Sequence, residues 1–377
     1  MSLAAVRQVL FEFADVLEGR VVDAAVPAWC ERRGWTEALL SLSDAELLRA
    51  ELVGLRASEP ENLVAFCART EALAAPYRGT TTAPASVQRG VKLRKSAQIE
   101  ALLAECRAAK PPQRIVDFGA GLGHLTRALA SELDVEAVGV ECDPVRVAAA
   151  ERLGGARFRV ADAAEVALAA GDLVVGLHAC GALGDTLVER AAAHGADVLL
   201  VSCCPHKTTA AERRSISREG AGLGLSRIAL GAANIAHLQR VEDMDRVMSG
   251  RRERFALRRL LERRDVHEPA GHELYGVPRR RVGKGLAACA EIAFRRRGLA
   301  PPSAAELSWA EREAAREHGR VRRLNLPRYR LARMAELFIV FDRAAYLSER
   351  GYQVSVRALF PFDVSSRNVA IFAGAPM

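Results

Sequence analysis

The sequence predicts an α/β fold with a doubly wound, mostly parallel sheet of seven strands, and three features support this prediction. Between residues 114 and 207, short apolar runs alternate with helix-like segments, the pattern of parallel strands joined by crossover helices. The first apolar run passes directly into glycines, in "RIVDFGAG". Near its end the chain has two further strand-like runs, which we expect to form an antiparallel pair joined by a short turn.

The elements follow from local sequence patterns. "SLSDAELLRAEL" has a serine cap and an acidic first turn, so it predicts the start of a helix. "SAQIEALLAECRAA" predicts another helix, which "KPPQ" ends. The predicted strands are "RIVDFGAG", "VEAVGVECD", "ARFRVADA", "DLVVGLHACG", "ADVLLVSCCPH", "YQVSVRALFPFD" and "SRNVAIFAG".

Four segments are predicted along the chain. Residues 1–85 form a helical N-terminal segment, and a Thr/Ala/Pro-rich stretch separates them from the core at 86–207. Residues 208–335 form a basic helical insertion. Residues 336–377 supply a final helix and the strand pair that completes the core sheet.

Composition places the protein among soluble globular proteins. Half of the 377 residues are apolar, and the eight cysteines show no secreted-type spacing. The sequence shows no signal peptide and no apolar run of membrane-spanning length, so we expect a cytoplasmic protein without membrane contact. Its formal net charge is +8, but residues 208–333 hold 28 Arg and Lys against 15 Asp and Glu. That excess predicts contact with nucleic-acid phosphates, the alternative being a solvated helical face.

A glycine-rich loop follows the first strand and indicates a bound cofactor. Asp117, Gly119, Gly121 and Gly123 lie in "VDFGAGLGHL". Glycines let the backbone turn sharply and approach a ligand, and the next helix offers free N–H groups. A nicotinamide enzyme has a related loop, so the loop alone is not specific.

Two further acids narrow the choice of cofactor. Glu141 ends the second strand, where a ribose diol would lie, and Asp162 ends the third, beside an adenine. Together with Asp117 they favour S-adenosylmethionine over a dinucleotide, with Leu177 as a further cofactor contact. The alternative is that these acids only cap helices or lie in solvent at the strand ends.

Cysteines and histidines follow the fourth and fifth strands, in "LHACG" and "SCCPHK". Because ligands bind beyond the carboxyl ends of parallel strands, we expect these residues to converge near the acceptor: His178, Cys180, Cys203, Cys204 and His206. Zinc ligands, a nucleophilic thiolate and close packing of small residues all remain open. The spacing differs from the usual zinc patterns, so no metal is expected. Adjacent cysteines would form a strained disulfide ring, so a redox pair is disfavoured.

The motifs "VDFGAGLGHLTRAL", "GLHACGALGDTLVERA" and "VSCCPHK" resemble those of S-adenosylmethionine-dependent methyltransferases. The most similar group contains the "ribosomal RNA adenine dimethylase domain-containing" and "methyltransferase-like" proteins. The sequence is also similar to a tRNA 2′-O-methyltransferase family. The resemblance extends to residues 34–48 and to 335–373, including a final S-x-R-N.

This resemblance implies a class I (Rossmann-like) methyltransferase fold and methyl transfer to tRNA or rRNA. His178 is predicted to orient or deprotonate the acceptor, helped by Cys180, Asp185, Cys204 or His206. A protein or small-molecule acceptor, or a non-catalytic nucleic-acid-binding role, remains open. The family's His-Glu before the first strand is replaced by Ala97 and Gln98. Arg94 and Lys95 keep two basic residues, which we expect at a solvated helix start, the alternative being contact with an anionic substrate.

Overall fold

A computed structural model describes residues 3–79, 93–233, 241–269, 271–361 and 364–376. The chain divides into two compact units. The sheet unit contains Met1–Glu18, Ala68–Ala236 and Leu331–Met377, and the helical unit contains Gly19–Cys67 and His237–Arg330. These units cut across the four predicted segments, whose boundaries stay a prediction.

The sheet unit is built on seven strands in the order β3-β2-β1-β4-β5-β9-β8. Strands β1 to β5 are parallel, and β9 runs antiparallel between β5 and β8. The predicted sheet and its closing antiparallel pair are therefore confirmed, although β8 ends at Ala358 and β9 begins at Val369, farther apart in sequence than the expected short turn. The seven strands are β1 (Arg114–Phe118), β2 (Ala137–Glu141), β3 (Arg157–Val160), β4 (Asp172–Cys180), β5 (Asp197–Cys203), β8 (Gln353–Ala358) and β9 (Val369–Gly374). Two more strands, β6 (Glu212–Arg214) and β7 (Gly224–Ser226), form a separate antiparallel pair.

Helices supply the remaining regular structure, and their ends carry recognisable caps. Ser43 and Glu46 form a reciprocal capping box, as do Ser303 and Glu306. Those before β1 are α1 (Leu3–Glu12), α2 (Ala14–Glu18), α3 (Ala28–Arg32), α4 (Thr36–Leu40), α5 (Asp44–Val53), α6 (Glu61–Ala74) and α7 (Leu93–Ala108). Those after β1 are α8 (His124–Leu133), α9 (Pro144–Arg152), α10 (Ala182–His194), α11 (Arg227–Ala233), α12 (Val241–Glu262), α13 (Leu286–Arg295), α14 (Ala304–Leu324) and α15 (Leu326–Ser348).

The β6–β7 hairpin was not predicted, because residues 208–335 were expected to be mostly helical. Its strands have three residues each, which is too short to show a two-residue period. The middle residue of β6, Arg213, is buried and binds carboxylates of the sheet unit. A buried ion pair of β6, together with the buried Leu225 of β7, therefore anchors this hairpin.

Helix α7 packs against the sheet and so brings its N-terminal turn to the carboxyl edge of the strands. Ile99, Leu102 and Leu103 of α7 are fully buried in a core cluster with Ile115 of β1 and Val175 of β4. Each such side chain stabilises the fold by about 1.5–3 kcal/mol. The residues that precede Ile99 in α7 are consequently fixed beside the ends of β1 and β4.

In the described part of the chain, no helix has the length and apolar character that crossing a membrane requires.

Candidate active site

The glycine loop after β1 leaves a face of its backbone open. Gly119, Gly121 and Gly123 all have positive φ, at 72°, 59° and 72°. A Cβ on Gly123 would lie 2.2 Å from the ring of Phe158, so packing requires glycine there. A Cβ on Gly121 would meet nothing closer than 4.0 Å, so its open side fits a closely approaching ligand.

Glu141 at the end of β2 is positioned by the same loop. Its carboxylate accepts hydrogen bonds from the backbone N–H groups of Gly121, at 3.1 Å, Cys142, at 3.0 Å, and Asp143, at 3.2 Å. Oε1 also accepts from the Cys142 thiol at 3.4 Å, whereas Oε2, which accepts the Gly121 N–H and lies 3.6 Å from Arg146, can accept from a ribose hydroxyl as well. The loop and the acid therefore fit the methionine and ribose portions of S-adenosylmethionine.

The other two predicted acids differ in their surroundings. Asp162 is exposed and caps a short 3₁₀ segment through a hydrogen bond from the Ala164 N–H, at 2.8 Å. Asp117 is buried in β1, where the Thr126 hydroxyl donates to it at 2.7 Å. Burial raises the pKa of Asp117 to about 6, against the opposing effects of that hydrogen bond and of the Lys95 charge. Through this hydrogen bond Asp117 joins β1 to α8, the two elements between which the glycine loop lies.

A backbone irregularity near the end of β4 shapes the acceptor side of the site. The register of β4 against β5 shifts between Leu177 and Ala179, and His178 between them has a φ of 70°. Leu177 is buried in the core cluster that α7 forms with β1 and β4, and its contact with a cofactor stays a prediction. Beyond the shift, Cys180 pairs with Cys203. The bulge places the His178 side chain at the carboxyl edge of the sheet.

Gly181 joins the loops that follow β4 and β5. Its N–H donates to the Cys203 carbonyl at 3.2 Å, and the Ala182 N–H donates to the Lys207 carbonyl at 3.3 Å. A Cβ at Gly181 would lie 1.8 Å from that Lys207 oxygen. The two Cys/His loops are therefore side by side, as the topology predicted.

Gln98 holds His178 by a hydrogen bond that the sequence did not reveal. The His178 Nε2–H donates to the Gln98 side-chain oxygen at 3.0 Å, which leaves the Nδ1 lone pair free. This Nδ1 is buried without a hydrogen-bond partner. Burial lowers the pKa of His178 to about 4, and the charges of Lys95, Arg367 and Arg94 add to this effect. The imidazole is consequently neutral at physiological pH.

Lys95 corrects one expectation. Its side chain is half-buried, not fully solvated at the helix start, and burial lowers its pKa against the opposing effects of Asp117 and Cys203. Arg94 is exposed and donates to the Val364 carbonyl at 2.9 Å. The sequence shows Arg94 and Lys95 as a basic pair, but the packing of α7 is needed to show that Lys95 is the one that faces the site.

The thiols of Cys180, Cys203 and Cys204 form a cluster, with their sulfurs all within 4.8 Å of one another. The Cys203 and Cys204 sulfurs are 3.1 Å apart. Hydrogen bonding from Cys203 lowers the pKa of Cys180 to about 6, with help from Lys207, while the same contact raises the pKa of Cys203. The cluster thus favours a thiolate at Cys180.

The remaining predicted residues lie at the edge of this site. His206 is half-buried, its Nδ1 lacks a partner, and burial lowers its pKa, together with nearby Lys207, Arg367 and Arg227. Asp185 binds two guanidinium groups.

Asp185 binds Arg213 at 2.7 Å and Arg343 at 2.8 Å. Arg343 also donates to the Gly181 carbonyl, at 2.8 Å, and to the Ser202 hydroxyl, at 2.7 Å, so it connects the ends of β4 and β5. These contacts favour a supporting role for Asp185 over the predicted catalytic one.

The sheet order, the glycine loop and the acid after β2 define a class I methyltransferase fold. A family model described as "Methyltransferase domain" matches residues 93–211, which is less than half of the chain. The matched region contains the glycine loop, Glu141 and both Cys/His loops. Residues 93–211 are thus similar to a methyltransferase domain, and the glycine loop with Glu141 fits S-adenosylmethionine as the cofactor.

Solved structures give weaker similarity. YcgJ from Bacillus subtilis is 21% identical, with 28% of this chain and 50% of that chain covered and a TM-score of 0.25. CalS10, an amino pentose methyltransferase from Micromonospora echinaspora, is 24% identical, with coverage of 32% and 58% and a TM-score of 0.26. Magnesium protoporphyrin IX methyltransferase from Synechocystis is 18% identical, with coverage of 31% and 64% and a TM-score of 0.25. The chain spans less than two thirds of each of them, and similarity at this level says nothing about the acceptor. No curated protein matches the chain.

Replacing Glu141 with Ala is expected to weaken S-adenosylmethionine binding. The substitution removes the charged acceptor of the Gly121 N–H and of the ribose, worth about 1.5–3 kcal/mol, or roughly 10- to 150-fold in affinity. Calorimetric titration measures this. Glu136→Ala is the matched control, because Glu136 precedes the same strand and its exposed side chain pairs with Arg157. Equal affinities of the two variants would remove Glu141 from the cofactor site.

Proposed function

We propose that the protein transfers a methyl group from S-adenosylmethionine to RNA, either tRNA or rRNA. The observation that carries this proposal is the neutral His178, whose unpartnered Nδ1 lies among cationic groups at the carboxyl edge of β4 and β5. The cations whose charges act on His178 or His206 are Arg94, Lys95, Lys207, Arg227 and Arg367, of which Arg367 is itself paired with Glu336. Such surroundings favour an anionic acceptor, and a phosphate backbone supplies that charge.

The cofactor, once bound, supplies an electrophilic methyl group. The glycine loop and Glu141 hold the cofactor, while the ends of β4 and β5 form the acceptor side. Positioning of donor and acceptor in line is the main contribution of such a site. His178 Nδ1 accepts the proton that an acceptor hydroxyl loses, and Gln98 fixes the tautomer that makes this possible.

The cations around His178 and His206 support an RNA acceptor better than the net charge of the basic insertion does. Within the helical unit, arginines of the insertion are paired with carboxylates: Arg254 with Glu273, at 2.9 Å, and Arg264 with Glu306, at 2.7 Å. These pairs neutralise part of the excess positive charge counted over residues 208–333. Net charge therefore overstates the surface available to phosphates in this region.

Replacing His178 with Ala is expected to lower turnover by roughly 100-fold while leaving cofactor affinity nearly unchanged, because general-base catalysis contributes about 10²–10⁴-fold and a base with a pKa near 4 lies at the weak end of that range. In the parent protein, turnover should show no inflection from His178 between about pH 5.5 and 8, since an imidazole with a pKa near 4 stays neutral there. Initial-rate kinetics and calorimetry measure both quantities.

Gln98→Leu is the companion variant for this prediction. It removes the group that fixes the tautomer, so kcat should fall with little change in the affinity for cofactor. Unchanged turnover in His178→Ala would remove this residue from the chemistry.

The acceptor is tested by transfer of labelled methyl from S-adenosylmethionine to total RNA, to purified tRNA and rRNA, and to protein extract. Label in RNA that ribonuclease releases is the expected result. Label only in protein or in small molecules would overturn the RNA proposal. Absence of cofactor binding in calorimetry would instead indicate a non-catalytic module that has kept the fold.

A further inference from the structure

Three thiols lie close together at the carboxyl ends of β4 and β5. Methyl transfer with His178 as the base does not require them. The sulfurs of Cys180, Cys203 and Cys204 all lie within 4.8 Å of one another, although Cys180 is far from the other two in sequence. Each is partly buried, and all three are free thiols. Such a cluster presents soft donor atoms to one point in space.

Two backbone features create this convergence. The register shift in β4 places Cys180 beside Cys203, whereas continuous pairing from Leu177 and Val201 would have placed Cys180 beside Cys204. Neighbouring residues on a strand normally point to opposite faces. Cys204 instead follows the end of β5 with a φ of 39°, and this left-handed turn brings its sulfur to 3.1 Å from that of Cys203. Adjacency in sequence therefore does not prevent the two thiols from sharing one ligand.

We infer that Cys180, Cys203 and Cys204 form a three-thiolate site for a thiophilic divalent metal ion, with zinc the ion that suits these donors best. Tetrahedral zinc has Zn–S bonds of about 2.3 Å, which corresponds to sulfurs about 3.8 Å apart. The Cys203 and Cys204 sulfurs are 3.1 Å apart and no pair is more than 4.8 Å apart, so side-chain rotations would complete the geometry. Zinc with three thiolates has a net charge of −1, which Lys95 and Lys207 beside the cluster offset.

The fourth coordination position is left for a ligand from outside the chain. Among the residues that the structure describes, no histidine, aspartate or glutamate joins the three sulfurs in this group. Zinc sites with three protein ligands and an open position are those in which the metal binds water or substrate. The ion would thus lie on the acceptor side, near His178, whose carbonyl contacts the Cys180 thiol at 3.2 Å.

The test is the zinc content of the full chain, purified under reducing conditions without chelator and without a metal-affinity tag. We expect about one zinc per chain by elemental analysis. Chelator-treated protein titrated with Co²⁺ should develop a sulfur-to-cobalt charge-transfer band. Cys180→Ser, Cys203→Ser and Cys204→Ser should each lose most of the zinc and weaken that band.

Cys142→Ser is the matched control, because Cys142 is an exposed thiol of the same unit outside the cluster. It should keep both the zinc and the band. Circular dichroism of each variant separates loss of the site from loss of the fold. Reduced, folded protein that takes up neither metal overturns the inference, as does metal retained by all three serine variants. Since cofactor binding is measured separately, failure of this inference leaves the proposed methyl transfer standing.

Discussion

Gly181→Ala is expected to lower the free energy of unfolding by at least about 4 kcal/mol. A loss of this size would indicate a steric clash with the backbone. Gly181 has a φ of 54° and a ψ of −126°, a conformation that costs residues with a Cβ about 1–3 kcal/mol. The added Cβ would also lie 1.8 Å from the Lys207 carbonyl oxygen, so backbone must move. Because this contact joins the two Cys/His loops, turnover should fall with stability.

Urea denaturation followed by circular dichroism measures the free energy of unfolding of this variant. Gly195→Ala is the control, since Gly195 ends α10 with a φ of 64° and its Cβ would meet only Ala170, at 3.8 Å. A left-handed alanine without a clash costs about 1–2 kcal/mol. Equal losses of stability in the two variants would show that the close approach of Gly181 to the Lys207 carbonyl does not contribute to the destabilisation.

The fold was largely predictable because its pattern is local. Apolar runs, glycine turns and helix caps identify β1 to β5 and the terminal pair without knowledge of long-range contacts. The three-residue strands of the hairpin escaped, because Arg213 anchors them through ion pairs with residues distant in sequence. Periodicity contains no information about such pairs.

The candidate site was predictable only in part, because some of its contacts join residues that are distant in sequence. Strand-end residues such as Glu141 and His178 stand out in sequence, because parallel strands end at one edge. The partner of His178, Gln98, comes from α7, 80 positions earlier in the chain. The roles of Gln98 and Lys95 depend on how that helix packs, which the sequence pattern does not define.

The final S-x-R-N of the resemblance shows how a recognisable motif can serve the fold. Asn368 is fully buried and donates to the Tyr77 carbonyl at 2.9 Å and to the Phe360 carbonyl at 3.0 Å. Arg367 binds Glu336 at 2.7 Å. The motif thus ties β9 to α15 and to the segment before the core, while Arg367 also adds to the positive charge near His178.

Asp185→Ala is expected to lower the free energy of unfolding by about 3–5 kcal/mol, because it leaves the buried guanidinium group of Arg343 without its carboxylate. Arg213 keeps a second carboxylate partner, Asp342, at 2.8 Å. The expected loss of stability therefore comes mainly from Arg343. Glu132→Ala is the control, since its exposed ion pair with Arg107 is worth less than about 1 kcal/mol. Chemical denaturation at neutral pH measures both losses.

The effect of Asp185 should also depend on pH. Burial alone would raise the pKa of this carboxyl, but the charges of Arg343 and Arg213 outweigh it and lower the pKa. A lowered pKa gives stability that is fully present above the unfolded value, about 3.9, and is lost as the pH falls through the folded value. The stability gap between the parent protein and Asp185→Ala should therefore be constant near neutrality and narrow only below about pH 4. A gap that narrows already between about pH 5 and 7 would indicate that Asp185 is not held ionised by its two arginines.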